Sequence, residues 1–97
     1  MIAALVTFDV PGGASLAEMT VSFEQSAPKF SGMPGVIAKY YLFDGAVTGG
    51  AFYVLSSREH AARMFNDEWR KMLTERYGSP PNLSVFEVPV TVTNILH

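Results

Sequence analysis

A chain of 97 residues with 48% hydrophobic and 16% charged side chains is long enough for one core and too apolar to be a disordered segment. Its net charge of −2 leaves no basic footprint for a nucleic-acid backbone, and the lack of cysteine removes disulfides, thiol nucleophiles and cysteine-held zinc. The apolar run from Met1 to Val6 has no basic flank and meets Thr7 and Asp9 at once, too soon for a signal peptide or a membrane span, so the expectation is one cytoplasmic domain over residues 1–97 with no membrane partner.

Residues Ile2 to Val10 alternate as a strand, with Ile2, Ala4, Val6, Phe8 and Val10 on one face and Ala3, Leu5, Thr7 and Asp9 on the other. Pro11-Gly12-Gly13 stops it. Ser15 followed by Glu18 makes a capping box, and at about 100° per residue Leu16, Met19, Thr20, Phe23 and Ala27 form the apolar stripe of a first helix. Pro28 lacks the N–H that a helix interior uses, so the helix is expected to end or kink near Ala27, with a turn through Lys29 and Phe30. Ser31 to Gly35 form a loop, Val36 to Phe43 a second strand and Gly50 to Ser56 a third, with turn chemistry from Asp44-Gly45 through Thr48-Gly49 joining the two as an antiparallel hairpin.

Ser56 or Ser57 caps a second helix, Ser56 and Glu59 having capping-box spacing, and Gly78 with Pro80-Pro81 closes it after Tyr77. Its apolar stripe is Ala61, Ala62, Phe65, Trp69, Met72 and Leu73. Opposite lie the charged residues, among them Glu59/Arg63 and Asp67/Lys71 as acid-before-base pairs one helical turn apart. Leu83 to Thr93 reads as a fourth strand with Phe86, Val88, Val90 and Val92 on one face, made an edge, bulged or broken by Pro89.

The order β-α-β-β-α-β predicts an α+β, ferredoxin-like fold: a four-stranded antiparallel sheet with two helices on one face. Ala3, Leu5 and either Tyr40 or Tyr41 then lie on the face away from the helices, and a second copy packed sheet to sheet is the economical cover, giving a homodimer.

Pro34-Gly35 before VIAKYY, Gly49-Gly50 opening FYVLSS, the stretch NDEWRKMLTERYGSPP and the ending FEVPVTVTN resemble the dimeric α/β-barrel superfamily and, within it, the YdhR-like monooxygenase family. The resemblance covers most of the chain. It implies a dimeric α/β barrel and, as the activity, cofactor-independent oxygenation of a small phenolic or quinol-type substrate. The superfamily also holds lactone isomerases, haem-degrading enzymes and non-catalytic ligand-binding modules, and a shared fold does not choose among these.

The residues themselves exclude several chemistries. The only histidines are His60, expected on the solvated side of the second helix, and His97, so no Ser-His-Asp arrangement or metal-ligand spacing exists, and no metal or cofactor is expected. What remains is an aromatic set with polar tips, converging where strands two and three meet the second helix, in a position to form an apolar pocket for a small aromatic ligand. Under the oxygenase reading Trp69 and Arg76 are the catalytic candidates, with Tyr40, Tyr41, Tyr53 and Phe65 binding substrate. Trp69 reads equally well as the largest core plug, and Arg76, in line with Phe65 and Trp69 near the helix end, as the partner of Glu87 in a salt bridge. Lys39 shares a strand face with Ile37 and Tyr41. If it is buried against a partner sheet it needs a counter-ion, for which Glu87 is the natural candidate.

Overall fold

In the computed structural model, which describes residues 1–94, the strands are β1 (Ile2–Asp9), β2 (Val36–Phe43), β3 (Thr48–Leu55) and β4 (Asn82–Glu87). They pair antiparallel throughout in the order β2-β3-β1-β4. The helices α1 (Leu16–Phe30), α2 (Arg58–Met64) and α3 (Asp67–Tyr77) complete a ferredoxin-like α+β architecture. His97 lies outside the described residues.

β1 is central because its inward side chains are all apolar. Ile2, Ala4, Val6 and Phe8, with Val10 just beyond the strand, are buried together with Met19, Ala51, Tyr53, Leu55 and Ala61. Val6 and Leu55 are the largest of the fully buried side chains, each contributing about 1.5–3 kcal/mol by the transfer scale. Gly50, opposite Thr7, is required by space: a Cβ there would run into the Val6 carbonyl.

The capping box of α1 forms in both directions, Glu18 N–H donating to Ser15 Oγ at 3.1 Å and Ser15 N–H to Glu18 Oε1 at 3.3 Å. Two expectations for this helix need correction. It continues through Pro28 to Phe30, because a proline in the last turn removes one hydrogen bond without interrupting a long run of them. Its inward stripe is Met19, Ser22, Phe23, Ser26 and Phe30, while Leu16, Thr20 and Ala27 stay exposed, so the helix is rotated from the most apolar arc toward one that carries two serines.

The single second helix of the sequence reading is two. The Asn66 side chain accepts the Trp69 N–H at 2.9 Å and donates to the Arg63 carbonyl at 2.9 Å, ending one helix while starting the next, with Asp67 and Glu68 in the favoured first turn. Ser57, and not Ser56, caps α2 through His60 N–H at 3.2 Å. Phe8 and Tyr77 stack with centroids 3.9 Å apart, fastening the end of α3 over β1.

β3 begins at Thr48, two residues before its expected start, because Asp44 Oδ1 alone receives the N–H groups of Ala46, Val47 and Thr48 at 2.8–3.1 Å and tightens the turn. β4 stops at Glu87; the expected strand to Thr93 ends short of Pro89, which offers the ladder no N–H.

Candidate functional site

Strand alternation sorts the candidate residues. Lys39 pairs with Tyr53 and Tyr41 with Ala51, all facing the helices, whereas Tyr40 pairs with Phe52 on the opposite face, their rings 6.4 Å apart. Tyr40 is 58% exposed and lies outside the cavity, which corrects its assignment to substrate binding. Ile37 does not share the Lys39 face either. A bulge between Val36 and Ala38 sets it apart, and it is exposed.

The inward residues of β2 and β3, the stripe of α1 and the side chains of α3 enclose a cavity of about 170 Å³. Phe23, Phe30, Tyr41, Tyr53 and Trp69 line it, with Arg76 and Tyr77 toward the end of α3. An outer cleft of about 650 Å³, bounded by Met33, Pro34, His60, Arg63 and Glu68, adjoins it and shares Lys29, Phe30, Tyr53, Trp69 and Met72. Trp69 therefore stands half-buried between the two spaces. Phe65 packs its edge on both Tyr53 (centroids 5.1 Å) and Trp69 (4.9 Å), supporting the wall from behind without facing the inner cavity.

Lys39 is the residue that the sequence reading left without a role. Its ammonium faces the helical layer, where a partner sheet would not reach it, with Nζ 3.5 Å from the ring centre of Phe30, 4.2 Å from Tyr41 and 4.9 Å from Tyr53. The three ring faces return part of the lost hydration by cation–π attraction. Among the described residues no Asp or Glu lines the inner cavity. Loss of water and, secondarily, the charge of Lys29 bring Lys39 down from 10.5 to about 7. Glu87, the expected partner of Lys39 or Arg76, instead takes Arg58 Nε at 2.8 Å on the surface.

Arg76 donates to Ser22 Oγ at 2.9 Å, with its guanidinium carbon 5.7 Å from the Tyr77 ring. It is exposed, as a cation at the cavity's end rather than a buried one. Ser26 donates to the Phe23 carbonyl at 3.2 Å, so in the 2.5 Å contact between Ser26 Oγ and the Tyr41 hydroxyl the tyrosine is the donor. Burial first, and Tyr41 second, hold the Tyr53 phenol well above its ordinary range, which keeps it protonated.

His60 is also placed differently from expectation. Instead of pointing to water it is half-buried at the outer cleft, with Nδ1 2.9 Å from Ser57 Oγ and 3.2 Å from Ser56 Oγ. Its ring occupies the space beside Gly35, whose φ of +85° and close approach both exclude a side chain. The short α2 swings this face of the helix toward the loop after α1, a turn that a continuous-helix reading could not anticipate. Among the described residues no cluster of His, Asp and Glu could hold a metal ion, and no helix is long and apolar enough to cross a membrane.

No protein-family model matches the chain, and comparison with curated proteins gives no match. Among solved structures, the crystal structure of the NE2512 protein of unknown function from Nitrosomonas europaea is similar, with a TM-score of 0.72 and 18% sequence identity over 97% of this chain and 94% of that one. At that identity the likeness concerns the backbone: the two proteins share the ferredoxin-like fold over nearly their whole lengths.

Proposed function

We propose that the inner cavity binds a small aromatic anion of the phenol or quinol class, and that the chain works as a cofactor-independent monooxygenase in a homodimer joined through the uncovered sheet face. The observation that carries this reading is an aromatic-walled cavity in which Lys29, Lys39 and Arg76 supply positive charge while none of the described residues lining it supplies a carboxylate. A neutral ring gains only packing there; its oxyanion gains charge-assisted contacts in a partly dry site. Once ionised, such a ring is electron-rich enough to reduce O₂ itself, leaving the protein to orient it, limit water and stabilise the anion. For a methylene next to the ring the balance is CH₂ + O₂ → C=O + H₂O, the carbon supplying the electrons.

In this reading Trp69 and Arg76 touch the substrate, Tyr41 and Tyr53 flank its ring, and Phe65 fixes the wall. Oxygen uptake with hydroquinones and anthrones is the test. A rate in the native protein that disappears in a Trp69→Phe/Arg76→Ala variant supports the reading, and no rate above that variant overturns it for those substrates. A second reading, a ligand-binding module without catalysis, is favoured by the small inner volume of about 170 Å³, below the roughly 300 Å³ at which most ligand pockets begin. Quenching of Trp69, the only tryptophan, by a phenolate without oxygen uptake would select it.

The dimer is supported by Ala3, Leu5, Leu42, Phe52, Val54 and Phe86 on the sheet face that no helix covers, Phe86 being 54% exposed. Val90 and Val92, which follow β4, are 78% and 84% exposed. Sedimentation should give two chains, and Phe52→Arg should give one; a native monomer at micromolar concentration would refute the assembly.

A further inference from the structure

The amine of Lys39 has surroundings that a purely structural lysine does not need. It projects from β2 into the inner cavity, against Phe30 of α1, Tyr41 of its own strand and Tyr53 of β3. The ionisable groups facing this space are Lys29 from α1, Tyr41 from β2, Tyr53 from β3, and Arg76 and Tyr77 from α3, none of which is a carboxylate. A lysine placed only for stability would have an acid beside it or its head in bulk water. Here, half-buried, it has no acid beside it among the described residues, and the contacts that hold it are ring faces, which accept the ammonium and do not occupy its nitrogen once the proton is lost.

We propose that Lys39 is a nucleophilic amine that forms a covalent imine with an aromatic aldehyde or ketone held in the inner cavity. The neutral Nζ adds to the carbonyl carbon, forming the C–N bond as the C=O pair moves to oxygen. Proton transfer from nitrogen and to oxygen gives the carbinolamine, and departure of that oxygen as water leaves C=N. Hydrolysis reverses the sequence, and no oxidant or reductant takes part. Loss of water and the charge of Lys29 lower the Lys39 ammonium toward about 7, so near neutrality more of it than of an exposed lysine is free amine, the form that attacks. Tyr53, kept protonated by its burial, holds its proton too tightly to give it up, so water supplies the proton to the departing oxygen. The rings that cage the ammonium are the ones that would stack on an aromatic carbonyl compound.

The inference rests on the inner cavity being a ligand site, so binding and covalent capture are read separately. Native protein is treated at pH 7 with 4-hydroxybenzaldehyde and cyanoborohydride, which reduces the imine to a stable secondary amine, and the adducts are mapped by peptide mass. Lys29 and Lys71 are the internal comparisons. Labelling at Lys39 is expected to outpace each of them by more than about tenfold, to rise with pH through about 7, and to be absent in Lys39→Arg, which keeps the charge. In parallel, quenching of Trp69 by 4-nitrophenol reports non-covalent binding, and circular dichroism checks the fold of the variant. Quenching with no preference for Lys39 overturns the imine while leaving the cavity reading intact. Neither quenching nor preference overturns both. Preferred labelling without quenching supports the imine and removes the phenolate.

Discussion

Replacing Lys39 by Met keeps a long unbranched side chain against Phe30, Tyr41 and Tyr53 but removes the charge that those surroundings disfavour. Because the native value is about 7 and the ordinary one 10.5, the unfolded chain binds the proton more tightly than the folded one. The sign follows: the penalty on folding is complete below pH about 7, is relieved as pH rises from there to 10.5, and is absent above. Taken alone, that interval corresponds to about 5 kcal/mol at about 1.36 kcal/mol per pH unit. Lys39 is only half-buried, and water at the β2 edge screens it, so about 1–2 kcal/mol is the expected gain. Urea denaturation of both proteins at pH 6, 8 and 10 measures it, and the quantity to follow is the difference between them, in which other titrations cancel. Lys39→Met should be the more stable protein at pH 6 by about 1–2 kcal/mol, with the advantage fading toward pH 10. A variant less stable at pH 6, or a difference that does not change with pH, would refute the reasoning.

Gly50→Ala should cost more than about 3 kcal/mol or abolish folding, since backbone at Val6 and Thr7 cannot yield to a Cβ, whereas Gly12→Ala, in open space, should be neutral or slightly stabilising by thermal melts. Asn66→Ala, which uncaps α3 and releases the Arg63 carbonyl, should cost about 1 kcal/mol in urea and increase Trp69 quenching by iodide. Asp44, its carboxyl held below the ordinary range by the backbone N–H groups of Thr48, Ala46 and Val47, contributes stability above the ordinary carboxylate range that is lost as pH falls through its native value. Asp44→Asn should therefore melt with a weaker acid dependence than the native chain. Arg58→Ala should change stability by less than about 1 kcal/mol, as both partners of its ion pair with Glu87 are more than half exposed.

The parts of the fold legible in the sequence were those where one residue type had one physical use. The alternation of Ile2, Ala4, Val6 and Phe8 has a single burial solution, and Ser15 with Glu18 forms the reciprocal cap that its spacing requires. The break between α2 and α3 was missed although Asn66-Asp67-Glu68 carries an N-cap and its acidic first turn, because the surrounding apolar spacing runs on as if one helix continued. Pro28 misled in the opposite direction: near a helix end a proline costs little. Of the candidate site, Tyr41, Tyr53, Trp69 and Arg76 do meet around one cavity. Phe65 supports that wall, while Tyr40 turns away. Lys39 was noticed as a charge among apolar neighbours, yet a carboxylate was sought for it, since sequence shows charges more readily than the ring faces that in the fold take a counter-ion's place.

Strand β2 shows why those assignments could not be made from alternation alone. In VIAKYYLF both faces are apolar enough to be buried, so the pattern permits either parity. The structure selects one through β3: Tyr53 and Leu55 are committed to the core, and whatever pairs with them must also face inward. Val36 opposite Leu55 and Lys39 opposite Tyr53 satisfy this although three positions apart, an odd spacing that a regular strand would send to opposite faces. The bulge at Ile37 removes the conflict by using one residue without advancing the partner strand. Everything after it then falls into place: Lys39, Tyr41 and Phe43 turn toward the helices, and Tyr40 and Leu42 toward the uncovered face. The same irregularity therefore sets both the polarity of the cavity and the apolar character of the opposite surface, so a change in β2 parity would exchange an ammonium and a tyrosine between the proposed ligand site and the proposed dimer interface at once.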